Sequence, residues 1–141
     1  MERLVGQLIY IDTNCFIYLL EDHPLFGVHA YRIFTALENG QFRAITSVLT
    51  LMEIMAGPLK LGEKELAAEY AHLLETFPGL TIHAMDRDIA HHAATFRASG
   101  IRAPDAIHLA TALHHGVDYF ITADQRLSKV QRVSVVIFQS L

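Results

Sequence analysis

Gln7-Leu8-Ile9-Tyr10-Ile11-Asp12-Thr13-Asn14 decides how the rest of the chain is read. Gln7 to Ile11 is a short apolar run with β-branched and aromatic residues, bounded by Gly6 and Asp12. Such a run predicts a strand buried on both faces. Asp12-Thr13-Asn14 then offers a helix start, and Cys15 to Leu20 continues apolar at helical spacing. A strand that feeds straight into a helix is the first half of a βαβ unit.

The same alternation continues outward. Gly27 to Glu38 predicts a helix closed by Asn39-Gly40, and Phe42 to Thr46 a short strand. Ser47 is placed to cap a helix from Val48 to Ala56, which Gly57-Pro58 is expected to stop. Gly62 to Phe77 is amphipathic, with Leu66, Tyr70, Leu73, Leu74 and Phe77 on one face. Leu59 to Glu63 before it reads as a mobile connector. Leu80 to Ala84 predicts a third strand, and Asp86 caps a helix to Ser99. Pro104 opens a helix to His115, ended by Gly116. Tyr119 to Thr122 and Val133 to Phe138 are the last strand candidates. Strands and helices in alternation predict a parallel sheet with helices on both faces.

Bulk properties bound the function. The 141 residues fit one domain, 1–141, and 52% hydrophobic against 18% charged content predicts a folded core. A net charge of −4 excludes nucleic-acid binding through overall basicity, so any such role rests on a local site. Cys15 is the only cysteine, which leaves no intramolecular disulfide and fits a cytoplasmic protein. The N-terminal stretch lacks a signal-peptide layout, and no apolar run reaches the ~20 residues of a membrane helix.

Four of the 15 acids stand where surface chemistry does not explain them. Asp12 and Asp124 each follow a strand, at the sheet edge where open α/β folds bind ligands. Glu53 interrupts the apolar run Val48-Leu49-Thr50-Leu51-Met52-Glu53-Ile54-Met55-Ala56, with Thr50 and Gly57 completing a narrow polar stripe. Asp105 lies in the first turn after Pro104, where a helix favours negative charge. Taken singly, each has a bland reading as a cap, an exposed stripe or a turn. Taken together, they define one rim. Clustered carboxylates repel, and a divalent cation removes that penalty; hard oxygen donors select magnesium or manganese. His108, one turn beyond Asp105, reads as a supporting residue. The pairs His91-His92 and His114-His115 do not read as a metal site, because neighbours on a helix do not face one another.

The same segments resemble the motifs of PIN domains. Asp12-Thr13-Asn14 is similar to the opening motif, and Thr46 to Glu53 to the second acidic position. Ala103-Pro104-Asp105-Ala106-Ile107-His108-Leu109-Ala110-Thr111-Ala112-Leu113 resembles the third closely, and Phe120-Ile121-Thr122-Ala123-Asp124 the fourth. Order and spacing agree from about Leu8 to Phe138, and length and layout resemble VapC-type toxins. The resemblance implies a three-layer α/β/α fold with a central, mainly parallel sheet. It also implies a divalent-metal-dependent endoribonuclease, with Mg2+ or Mn2+ held by Asp12, Glu53, Asp105 and Asp124. Asn14 and Thr122 take supporting roles, and the implied partners are an RNA substrate, a cognate antitoxin and a second copy of the chain. Many relatives carry another acid just after the fourth position and Phe at the place of Leu127. Here Gln125-Arg126 follows, so Arg126, with Arg102, becomes the candidate RNA contact. A PIN-like nuclease of RNA maturation or DNA, or an inert binding module, are the alternative readings.

Overall fold

A computed structural model describes the chain from Met1 to Leu141. Its five strands are β1 (Leu8–Ile11), β2 (Arg43–Ser47), β3 (Leu80–His83), β4 (Tyr119–Thr122) and β5 (Val135–Ile137). They form one sheet in the order β3-β2-β1-β4-β5, and every pairing is parallel. The mainly parallel sheet expected is therefore wholly parallel. Six helices cover it: α1 (Thr13–Leu20), α2 (Gly27–Glu38), α3 (Val48–Lys60), α4 (Lys64–Thr76), α5 (Arg87–Ala98) and α6 (Ala103–His114).

Alternation along the central strands divides the interior into two cores. Ile9 and Ile11 of β1 and Ile121 of β4 face α1 to α4, where Phe16, Phe34, Ile54 and Leu74 meet them. Tyr10 and Phe120 face the opposite way, against Ile89, Phe96 and Leu109 of α5 and α6. Tyr10 and Phe120 are register partners across β1 and β4, and their rings stack at 5.0 Å between centroids. This two-sided burial is why β1 and β4 read as continuous apolar runs. The result is a helix–sheet–helix sandwich.

Strand order reverses direction at β1. The chain moves outward to β2 and β3, then crosses to β4 on the other side of β1. The carboxyl ends of β1 and β4 therefore flank the topological switch point, where a crevice opens. Asp12 and Asp124 follow those two ends.

Two boundaries differ from expectation. Helix α3 passes through Gly57-Pro58 and ends at Lys60, so the connector shrinks to Leu61–Glu63. Pro58 sits in the last two turns, where its missing N–H costs one hydrogen bond, and its ring is buried one turn beyond buried Ile54. Its carbonyl accepts from Leu61 N and Glu63 N at 3.1 and 2.9 Å, which closes the turn into α4. The last strand is also shorter than the Val133–Phe138 run, because Phe138 turns into a 3₁₀ segment.

Candidate active site at the switch point

Asp12 is placed by its own helix. As N-cap of α1 it accepts from Thr13 N through Oδ1 at 2.8 Å. Its Oδ2 accepts from Thr122 Oγ1 at 2.7 Å and from Asn14 Nδ2 at 3.4 Å. Asn14 Nδ2 also donates to Thr122 Oγ1, and its Oδ1 accepts from Ala123 N, so the two expected supporting residues tie β1 to β4. Asp12 is only 5% exposed. Burial drives its carboxyl above the usual range, and the charge of His108 and the bonds from Thr122 and Thr13 offset that only in part.

Glu53 arrives from the second turn of α3, its neighbours Ile54 and Thr50 buried. Its Oε1 accepts from Thr13 Oγ1 at 2.8 Å and stands 2.7 Å from His108 Nε2. Partial burial pushes this carboxyl up. The His108 hydrogen bond and charge, with Thr13 behind them, outweigh that and leave it below the usual carboxylate range. His108 is itself 2% exposed, which works against its charge. Glu53, Asp12 and Asp105 reverse the balance and raise it above an ordinary histidine. Its Nε2 faces Glu53 and its Nδ1 lies 2.6 Å from Tyr10 Oη, so both ring nitrogens are engaged.

Behind Glu53 runs a row of buried threonines. Thr13 Oγ1 lies 3.1 Å from Thr50 Oγ1, which lies 2.7 Å from Thr46 Oγ1, which donates to Ile11 O. Tyr10, Thr13, Thr46 and Thr50 escaped the reading of the sequence as site residues. Their signal was hydroxyls inside apolar runs and at strand ends, positions that a core without a polar centre fills with aliphatic residues.

Asp105 opens α6 behind Pro104 and receives Arg102 Nη2 at 3.4 Å. Asp124 follows β4 and caps the 3₁₀ turn Gln125–Lys129 by accepting from Arg126 N. Arg126 also grips it with a fork, Nε at 3.0 Å on Oδ1 and Nη2 at 2.7 Å on Oδ2. That guanidinium, ahead of all other influences, lowers the Asp124 carboxyl. All four acids line one cleft of about 550 Å³, together with Arg102 and His108. Arg126 lies just outside that cleft, against the rim.

The donor set suits a hard divalent cation. Asp12 is a buried carboxylate short of compensating charge, and Asp105 and Asp124 face the same cleft with only exposed arginines as partners. No three of the four carboxylates stand within 4.8 Å of one another, so they line the cleft without closing into a tight cluster. A tighter trio, Asp86, Asp88 and His114, lies at the other end of α6 from Asp105. Asp86 and Asp88 are exposed, and Asp86 already caps α5 through Ile89 N.

A parallel α/β/α sandwich with an acidic switch-point cleft is the class of protein defined so far. The chain belongs to the PIN domain family, whose family model matches residues 9–133. It is 30% identical over 123 residues to ribonuclease VapC47 of Mycobacterium tuberculosis, spanning 85% of this chain and 87% of that protein. A toxin–antitoxin complex from Klebsiella pneumoniae contains a chain 26% identical to this one, with a TM-score of 0.67, covering 91% of this chain and 95% of that one. VapBC2 from Rickettsia felis, bound to a DNA fragment from its promoter, shares the fold with a TM-score of 0.75 at 15% identity, covering 92% and 98%.

Proposed function

We propose that this protein is a divalent-metal-dependent endoribonuclease and the toxin of a toxin–antitoxin pair. One observation carries the chemistry: four acids from four separate elements line one cleft at the switch point, around a buried histidine. The ribonuclease name of a 30% identical relative supports the substrate, and the 26% identical chain of a toxin–antitoxin complex supports the partner.

Asp12, Asp105 and Asp124 would hold Mg2+ or Mn2+, with Glu53 beside them. Such an ion supplies phosphate charge neutralisation and lowers the pKa of a coordinated water. The chain's own residues do the rest. Glu53 is kept ionised by His108, so at neutral pH it is a proton acceptor held at the cleft wall. Thr122 and Asn14 fix Asp12 so that its carboxylate does not rotate away from the cleft. Arg102 and Arg126 bring positive charge to the rim, where an incoming phosphate would otherwise meet only acids.

No helix is long and apolar enough to cross a membrane. Val28 and Tyr31 on α2, and Leu59 and Leu61 at the α3–α4 turn, are large apolar side chains left exposed. They suit burial against an antitoxin or a second copy of the chain.

The deciding experiment follows cleavage of end-labelled RNA with magnesium, with chelator, and by Asp105→Asn. Cleavage only by the unaltered chain with magnesium is expected. Equal cleavage in all three would remove the proposed chemistry.

A further inference from the structure

Beyond the acidic cleft the surface continues into a second and a third depression. Arg102 and Asp105 belong both to the cleft and to a small hollow beside it. Ile101, Arg126 and Leu127 belong both to that hollow and to a pocket of about 390 Å³. The three therefore form one track, from the carboxylates past two arginines into the pocket. A volume of this size falls in the range of about 300–1,000 Å³ that holds small ligands.

The charge of the pocket is the reverse of the chain's. Arg126, Lys129 and Arg132 line it and no acid does, in a protein of net charge −4. Neither Lys129 nor Arg132 forms an ion pair with any carboxylate. The walls are apolar, from Ile101 and Leu127, with Phe96 at the base. Arg132 is held with its guanidinium 5.2 Å from the Phe96 ring centroid. Arg132 is exposed, so its guanidinium is reachable from solvent on the side away from that ring. A flat guanidinium backed by a buried ring is a stacking platform, and unpaired bases of RNA stack on such planes.

We infer that this pocket is a nucleotide subsite of the proposed ribonuclease, taking a base of single-stranded RNA that flanks the bond held over the carboxylates. The base stacks on Arg132 against the apolar wall, Lys129 meets a backbone phosphate, and Arg126 spans the step to the cleft. The occupant is single-stranded nucleic acid because the pocket joins cations to an open stacking plane, and a duplex does not present an unstacked base. The inference rests on the nuclease reading for its direction toward the acids. Its test rests on binding alone.

The test measures fluorescence anisotropy of a 5′-labelled ten-nucleotide single-stranded RNA with the full chain in chelator, where no cleavage is expected. Arg132→Ala should weaken binding about tenfold, the loss of one stacked base and one charge. Lys129→Ala should flatten the logarithmic salt dependence by about 0.7, the value for one phosphate contact to a single strand. Arg132→Lys keeps the charge and loses the plane, so it should weaken binding while leaving the salt slope unchanged. Unchanged melting temperatures would show that the variants fold. The pocket is overturned if the variants match the unaltered chain in affinity and salt slope, as they would were it reserved for an acidic peptide. Absence of RNA binding by the unaltered chain overturns it too. Failure of the nuclease reading would show instead as RNA that is bound but never cut when magnesium is supplied.

Discussion

His108 Nε2 stands 2.7 Å from Glu53 Oε1, and the two groups shift each other in opposite directions, the histidine up and the glutamate down. They make a short, largely buried contact between α3 and α6, at positions 55 apart in the chain. The pair explains how a charge survives inside the apolar run of α3. It also explains why the histidine is needed in the core of α6.

The stability of the protein should therefore peak in mildly acid solution. A raised histidine contributes fully below its unfolded value of 6.5 and loses that contribution as pH rises through the higher folded value. A lowered glutamate contributes above its unfolded value of 4.5 and loses it as pH falls through the lower folded value. The pair's full effect lies between those two ordinary values. Chelator-treated protein should melt at progressively lower temperature above pH 6.5, and His108→Gln should flatten that decline. A decline of the same slope in the variant would assign it to other groups.

Asp12 has the opposite linkage. Its raised carboxyl means that ionisation costs folding stability as pH climbs above the unfolded value of 3.8. Asp12→Asn keeps a helix-capping side chain and removes the buried charge. The metal-free variant should melt at least as high as the unaltered chain at neutral pH. It should also lose most of the stabilisation by added magnesium, since ligands stabilise by binding the native state. A magnesium-induced rise equal to that of the unaltered chain would exclude Asp12 as a ligand.

Thr122 donates to Asp12 Oδ2 and its oxygen accepts from Asp124 N at 3.0 Å, so one hydroxyl serves both acids. Thr122→Val retains the shape and strands both partners. A loss of about 1.5–3 kcal/mol in denaturant unfolding is expected, as for a hydrogen bond to a charged group. The magnesium concentration needed for half-maximal stabilisation should also rise. Unaltered values for both would show that Asp12 does not depend on this contact.

Arg126 competes with any cation for Asp124. Its two-pronged contact is at an exposed rim, where ion pairs add little stability. Arg126→Ala should leave the melting temperature of the metal-free chain within a degree or two. It should also lower the magnesium concentration needed for half-maximal stabilisation, because Asp124 is released. A requirement for more magnesium would instead mean that the arginine orders the ligand.

Singly the four acids have bland readings, Asp105 above all, since a helix start favours negative charge; together, and by their likeness to PIN motifs, they point to one rim. Asp12 and Asp124 end apolar strands, Glu53 charges an apolar helix, and Asp105 opens a helix otherwise packed into the core. Periodicity also predicted the alternating elements and the two-faced burial, since a parallel strand covered on both sides must read as an unbroken apolar run. The end of α3 was misread because a proline near a helix terminus costs only one bond, and burial of its ring offsets that.

The order of residues along the chain dictates the kind of layer each segment forms and the odd placement of four charges. These are local matters, set by side-chain spacing and the chemistry of caps. Folding alone brings Tyr10, Thr13, Thr50 and His108 to Glu53 in one network and sets Arg126 on Asp124. Those partners lie up to 98 positions apart. Their meeting depends on strand order and helix crossing, which no local spacing encodes.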